Sequence, residues 1–335
     1  MTLLDTWNIL KNKADKADAE LLGRLETAYT ASYGRIKPEV DALIEYLEAH
    51  PGATRQQVQK SAVYKNLMRE VVDELDDYQA YLKTEISTEV TESGKRGAVD
   101  GKALLVAAIA LSLGVPDKDI PADTTKGLTS LDFLEKYLQK GSPLFQRING
   151  LSDYHGEQIA DGILKLVSAG QNPRVIGDWM VDAYGMGLTD SMRIARTVQL
   201  YSYREANNAV QVANADLLQG VVWCAEMDDR TCLSCISLHG QVFPVGTICD
   251  DHHNGRCAML PWTKESENPI QQTGEQWFGE QSEATQKNMM GEAKYQAWQD
   301  GKFEFGQLSK DYHDDVYGMM KGEASLKSLL GGENE

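Results

Sequence analysis

The chain has 335 residues, of which 42% are hydrophobic and 25% charged, so it can bury a substantial core. Its formal net charge is −17. That charge argues against a protein that coats nucleic acid non-specifically, because such binding depends on neutralising phosphates with Lys and Arg.

Residues 1 to about 215 have a helical pattern nearly throughout, with apolar and charged residues at three- and four-residue spacing. The predicted helices are 4–34, 60–96, 130–140, 153–169, 173–184 and 188–214. Thr54 is placed to cap the helix after the turn at 50–54, and Pro173 suits a helix start. The stretch 114–130 is rich in proline, glycine and small polar residues, which predicts a loop.

The N-terminal stretch MTLLDTWNILKNKADKAD is charged and amphipathic and lacks the features of a secretory signal. The most apolar stretch, 103–114, is too short to cross a bilayer and predicts a buried helix. Five clustered cysteines, an odd number, do not resemble a secreted disulfide framework. We therefore expect synthesis in a reducing cytoplasm and no membrane association.

The character of the sequence changes at Gly220. GVVWCAEM and GQVF are short, β-rich and bounded by turn residues, which predicts two strands of a small sheet. After 262 the chain returns to polar helical segments. We predict a mainly α fold, with a long helical N-terminal region, a small α+β zinc-binding module built on a short β-hairpin, and a polar helical C-terminal tail. The predicted regions are 1–125 (helical), 126–218 (helical), 219–262 (β-rich Cys/His module) and 263–335 (acidic helical tail).

All five cysteines and three of the six histidines lie in the predicted module. Cys232 and Cys235 form a C-x2-C, the spacing that lets two thiolates of one turn face a common centre. His252 or His253, together with Cys257, would complete a tetrahedral zinc site of the structural kind. The separation of the two halves leaves room for a hairpin that returns the chain to the metal.

Other interpretations of these residues remain open at this point. Cys232, Cys235 and Cys257 could pack in a core or form a disulfide in an oxidising medium. Cys224 and Cys249 fit small buried hydrophobes better, and His239 fits a turn residue better than a ligand. A catalytic cysteine needs a partner base, and no single thiol stands out.

Several enzyme classes lack their signatures in this sequence. It contains no H-E-x-x-H, no phosphate-binding G-x-x-x-x-G-K-[ST] loop and no G-x-G-x-x-G. The tetrapeptide DHHN is similar to the core of HNH-type nucleases, but the next histidine, His313, lies sixty residues after His253. We predict a non-enzymatic protein, with a metal-dependent nuclease or hydrolase acting on a DNA genome as the alternative.

The module resembles the minor head, or head morphogenesis, proteins of tailed bacteriophages, the Mu F-like group. That pattern contains D-x-R-T-C-x-x-C, then a glycine and an aromatic with proline and glycine, then H-P-N-C-R-C. The matching residues are Asp228, Arg230, Thr231, Cys232, Cys235, Gly240, Phe243, Pro244 and Gly246. In HHNGRC, His252 and Cys257 align with the family His and last Cys, whereas His253 replaces Pro and Gly255 replaces the first Cys. Flanking helices extend the resemblance over about 190–305, with Val198 where Glu is common.

The resemblance implies a virion component made in the host cytoplasm and built into the head near the portal. Its implied partners are the portal protein and the major capsid or scaffolding protein, close to packaged DNA but without strong non-specific binding. The favoured ligands are Cys232, Cys235, His252 and Cys257, with His253 as a substitute, holding structural zinc. Asp228, Arg230 and Thr231 are expected to support the site.

Overall fold

The structure, a computed structural model, describes residues 2–264 and 266–331. It is mainly helical with two small antiparallel sheets, which confirms the predicted fold class. Residue 1 of the predicted N-terminal region, and residues 265 and 332–335 of the predicted tail, lie outside the described residues. Within the described ranges, no helix combines the length and apolar character needed to span a bilayer.

Six helices account for most of the chain before the module. They are α1 (Leu3–Ala49), α2 (Arg55–Lys60), α3 (Ala62–Leu113), α4 (Glu135–Leu138), α5 (Pro143–Ser168) and α6 (Pro173–Ala213). Thr54 caps α2 in a capping box with Gln57, and α6 begins at Pro173, both as predicted. The 114–130 loop contains only a short 3-10 turn, also as predicted.

Four helices, α1, α3, α5 and α6, are longer than the sequence pattern predicted. Helix α3 joins the predicted helices 60–96 and 103–114, and α5 begins at Pro143 instead of residue 153. Helix α1 continues through Pro38, although the predicted helix ended at residue 34. Helix α6 is continuous through Gly185 and Gly187, where two helices were predicted. Gly187 lies against the hydroxyl of buried Tyr29, so burial compensates there for the low helix propensity of glycine.

The chain divides into two compact units. One, here called the site unit, contains the residues up to 14, 90–134 and those from 199 onward; the other, the helical unit, contains 15–89 and 135–198. Because α1, α3 and α6 each contribute residues to both, the units are discontinuous in sequence. Their boundaries therefore differ from the continuous regions 1–125, 126–218, 219–262 and 263–335.

The helical unit buries one stripe of each long helix. In α1 this stripe recurs every three or four residues and includes Leu21, Leu25, Ile36 and Leu43. The hydroxyl of Tyr29 donates to the Tyr184 carbonyl oxygen within this core.

The site unit contains a three-stranded antiparallel sheet in the order β2–β1–β3. Its strands are β1 (Leu218–Cys224), β2 (Val242–Phe243) and β3 (Ala258–Thr263). The two predicted strands form β1 and β2 and pair Val221 with Phe243, whereas β3 was not predicted. Side chains of β1 alternate between two cores, and Trp223 lies in the same core as Cys235 and Cys257.

The C-terminal part is more ordered than a polar tail. It contains α8 (Gly274–Gly279), α9 (Glu283–Met290), α10 (Glu292–Gln299), β4 (Ser309–Asp314), β5 (Gly318–Glu323) and α11 (Leu326–Leu329). The helices were predicted, but the β4–β5 hairpin was not. Phe278, Phe305 and Leu308 form an apolar cluster with Leu233 and Ile236 of helix α7 (Leu233–Leu238), so the C-terminal part packs on the C-x2-C helix.

Candidate metal centre

The C-x2-C turn places two thiols at the start of α7. Cys232 is the N-cap residue, and its Sγ accepts a hydrogen bond from the backbone N–H of Cys235 at 3.4 Å. Cys235 lies in the first turn of the helix and is buried, while Cys232 is partly exposed. The cap geometry explains why this spacing directs both sulfur atoms to one side of the turn.

His252 supplies the nitrogen ligand atom from the loop that precedes β3. Its Nε2 lies 3.1 Å from Cys232 Sγ, and its Nδ1 lies 2.8 Å from the carbonyl oxygen of His253. In the neutral ring, a proton on Nδ1 satisfies that carbonyl and leaves the Nε2 lone pair available to a metal ion. The ligand atoms of Cys232, Cys235 and His252 all lie within 4.8 Å of one another.

Cys257 completes the sulfur-rich cluster from the start of β3. Its Sγ belongs to a second group with Cys235 and a carboxylate oxygen of Asp251, again within 4.8 Å, so Cys235 is common to both groups. The cluster of Cys232, Cys235, His252 and Cys257 could hold a metal ion. The four residues favoured from the sequence thus lie in two groups that share Cys235, with Cys232 and His252 in one and Cys257 in the other.

Asp251 and Arg204 form a buried ion pair beside the cluster. The Asp251 carboxylate accepts from both terminal nitrogens of Arg204 and, through Oδ2, from the Cys257 N–H at 3.1 Å. Arg204 also donates to the carbonyl oxygens of Gly255 (3.0 Å) and Cys257 (2.7 Å). Because the carboxylate oxygens already accept these bonds, Asp251 suits a role in shaping the Cys257 turn better than a role as ligand.

The predicted supporting residues brace the other side of the site. Asp228 accepts two hydrogen bonds from Arg256, at 2.7 and 2.8 Å, and one from the Arg230 N–H at 3.1 Å. The Thr231 hydroxyl lies 2.8 Å from Asp228 Oδ1. The bidentate Asp228–Arg256 pair joins the C-x2-C turn to the His252–Cys257 segment. The Arg230 side chain is 79% exposed and its guanidinium contacts Asp228 at 3.2 Å.

The ionisation of the cluster follows from these contacts. The neighbouring Cys235 thiol, and then the His252 ring, lower the pKa of Cys232 to about 5. Contact with Cys232 raises the pKa of His252 to about 9. The pKa of Cys235 is raised by its contacts with Cys232 and Cys257 and by burial, and burial raises that of Cys257. Cys235 and Cys257 therefore need a strong positive charge, such as a divalent cation, to become thiolates.

The remaining cysteines and histidines of the module belong to neither ligand group. Cys224 and Cys249 are buried in apolar clusters, consistent with the packing role predicted for them. His239 ends α7, and its Nδ1 accepts from the Ala225 N–H at 3.1 Å. His253, the predicted substitute ligand, points to Asp314, with Nε2 3.2 Å from Oδ2.

Three supporting residues were not predicted from the sequence: Arg204, Asp251 and Arg256. Arg204 lies on a stretch of α6 that is buried almost continuously, and a charged residue inside such a stretch was the available signal for it. Asp251 and Arg256 adjoin predicted ligands, but nothing in the local sequence indicates their partners, which lie 47 and 28 residues away.

Comparisons with protein-family models, with curated proteins and with solved structures returned no match to this chain.

Proposed function

We propose that the chain is a structural, non-enzymatic minor head protein of a tailed phage, stapled by zinc in its Cys/His module. The observation that supports this most is that residues carrying the sequence resemblance build one cluster. Asp228 and Thr231 brace the turn, Cys232 and Cys235 provide sulfur, and the HHNGRC segment returns to them. Separate motif halves that converge in this way are typical of a metal-stapled module.

The chemistry of the donor set supports zinc in a structural role. Three thiols and one imidazole form a set of the Cys3His kind, which zinc accepts in closed tetrahedral sites. Cys235 and Cys257 are buried, which favours a closed site over a catalytic one that keeps a position open for water. Zinc binding to such sites supplies on the order of 10 kcal/mol of folding free energy, more than a sheet this small supplies alone.

The charge of the chain fits a protein that lies near packaged DNA without binding it non-specifically. A net charge of −17 disfavours non-specific binding to the genome, so the expected partners are proteins: the portal, and the major capsid or scaffolding protein. We place the protein in the phage head, acting in procapsid assembly near the portal and in packaging or ejection of the genome.

The test combines particle composition with metal content. Particles and procapsids made by cells that carry this gene are purified, and their proteins are quantified by mass spectrometry. We expect this chain at a fixed low copy number relative to the portal protein, and one zinc ion per chain in the isolated protein. Its absence from both particle types would refute the head assignment.

Chelation tests the zinc staple independently of the proposed location in the phage head. Removing zinc should lower the melting temperature of the isolated protein, and an unchanged melting temperature would refute the staple. The alternative is tested with the same protein on phage DNA in the presence of Mg²⁺, Mn²⁺ or Zn²⁺. If the wild-type protein cleaves the DNA and a folded His252→Ala variant does not, the protein is a nuclease and the structural proposal is refuted.

A further inference from the structure

The β4–β5 hairpin lies against the loop that carries His252. The N–H of Lys321 donates to the carbonyl oxygen of Asp250 at 2.6 Å. Asp314 Oδ2 lies 3.2 Å from His253 Nε2, and the Tyr317 ring meets the His253 ring edge-on with 5.7 Å between centroids. The hairpin therefore contacts residues on both sides of His252.

The hairpin also contacts the other half of the cluster. The Ser234 hydroxyl, on the C-x2-C helix, donates to the hydroxyl of Ser309 in β4 at 2.8 Å. Tyr317 packs on Tyr201, with ring centroids 4.6 Å apart, and the Tyr201 hydroxyl donates to the Asp251 carbonyl oxygen at 3.0 Å. One hairpin thus spans from the helix that carries Cys235 to the loop that carries His252.

Asp314 is held in a fixed orientation by its own turn. Its Oδ1 accepts from the N–H groups of Val316 (2.8 Å) and Tyr317 (3.1 Å), and its side chain is only 9% exposed. This arrangement presents Oδ2 to His253. The His253 carbonyl oxygen in turn lies 2.8 Å from His252 Nδ1, so a continuous set of contacts runs from Asp314 through His253 to the His252 ring.

We propose that Asp314 is a positioning residue that orients His252 toward the metal by holding His253. The proposal rests on the metal site of the proposed function. It assigns His253 a supporting role instead of a ligand role, and it extends the site to 309–323, beyond the region of the family resemblance. Groups that orient a ligating histidine typically change metal affinity 10–100-fold when they are replaced.

The test uses the full chain and two matched substitutions on one strand. Asp314→Asn keeps the Oδ1 acceptor of the turn but replaces the oxygen that faces His253. Asp311→Asn makes the same change at an exposed side chain that pairs with the Lys321 ammonium group. Zinc affinity is measured by competition with a chromophoric chelator. We expect about 10-fold or greater weakening for Asp314→Asn and the wild-type value for Asp311→Asn.

Spectroscopy and a double-mutant cycle distinguish positioning from general destabilisation. With Co²⁺, Asp314→Asn should keep the thiolate charge-transfer bands and shift the d–d bands, which report ligand geometry. His253→Gln should weaken zinc binding similarly. The variant that carries both substitutions should bind zinc at least as tightly as the single variant with the lower zinc affinity. If Asp314→Asn does not fold, His253→Gln decides alone.

Two results would overturn the proposal, and they differ. Wild-type protein that binds neither Zn²⁺ nor Co²⁺ would remove the metal site and this inference with it. The other result leaves the metal site in place: wild-type protein binds zinc, and Asp314→Asn binds it as tightly as Asp311→Asn does. That result would refute the positioning role alone. If Asp314→Asn does not fold, the same comparison is made with His253→Gln.

Discussion

At the scale of single residues, the surroundings of Gly255 exclude a side chain. A Cβ atom at this position would lie 2.0 Å from Asp251 Oδ2, inside any permitted contact distance. The space that a side chain would take is filled by the carboxylate that accepts from Arg204 and from the Cys257 N–H. The buried ion pair therefore requires glycine at position 255.

We expect Gly255→Ala to destabilise the zinc-loaded protein by about 1–3 kcal/mol, because the added methyl group must displace a buried carboxylate. Gly306→Ala is the matched control, since a Cβ there meets no atom within 4 Å. Urea unfolding of the two variants provides the measurement. Equal midpoints would show that the Asp251 carboxylate can move without cost and would contradict this account of Gly255.

At the scale of elements, helix α6 contributes a buried arginine to the module. Arg204 is buried and donates to the Asp251 carboxylate and to the carbonyl oxygens of Gly255 and Cys257. Burial opposes its charge, but the Asp251 carboxylate raises the pKa of Arg204 overall, so the guanidinium stays charged. The helix therefore fixes the turn from which Cys257 enters the cluster.

Replacing Arg204 with Met should cost about 3–5 kcal/mol of unfolding free energy, because Asp251 would remain buried without its counter-charge. Arg193→Met, on the same helix at a half-exposed site paired with Asp190, should cost less than about 1 kcal/mol. Thermal or urea unfolding of both variants tests the difference. Adding Asp251→Asn to Arg204→Met should restore part of the lost unfolding free energy, because the buried carboxylate charge is removed. A further decrease in the unfolding free energy would contradict the ion-pair explanation.

The elements also show which parts of the fold can be predicted from local sequence patterns. The C-x2-C spacing predicted the turn at Cys232, and short β-rich segments bounded by turn residues predicted β1 and β2. Strand β3 contains Pro261, and the hairpin strands are polar, so neither has the β-rich composition that indicates a strand. These strands depend on tertiary contacts: β3 pairs with β1, and β4 pairs with β5 beside the loop that carries His252.

The same limit applies to the candidate site. Cys232, Cys235, His252 and Cys257 could be selected from the sequence, since residue type and spacing are local properties. The choice between His252 and His253 depends on which ring the hairpin engages, and that is decided by Asp314, about sixty residues away. Arg204 could not be assigned either, because its partner lies 47 residues further along the chain.

At the scale of the whole molecule, the cluster depends on three separate parts of the site unit. Helix α6 holds the Cys257 turn, the Asp228–Arg256 pair joins the two motif halves, and the C-terminal hairpin holds the His252 loop. Metal binding and folding of these parts should therefore be coupled, since each ligand is held by contacts from a different segment.

X-ray absorption at the zinc edge of the isolated protein tests the central claim most directly. A structural ion held by Cys232, Cys235, Cys257 and His252 predicts three sulfur neighbours at about 2.3 Å and one nitrogen neighbour at about 2.0–2.1 Å. A first shell made only of oxygen and nitrogen, or one with fewer sulfur atoms and a bound water, would contradict a closed Cys3His staple.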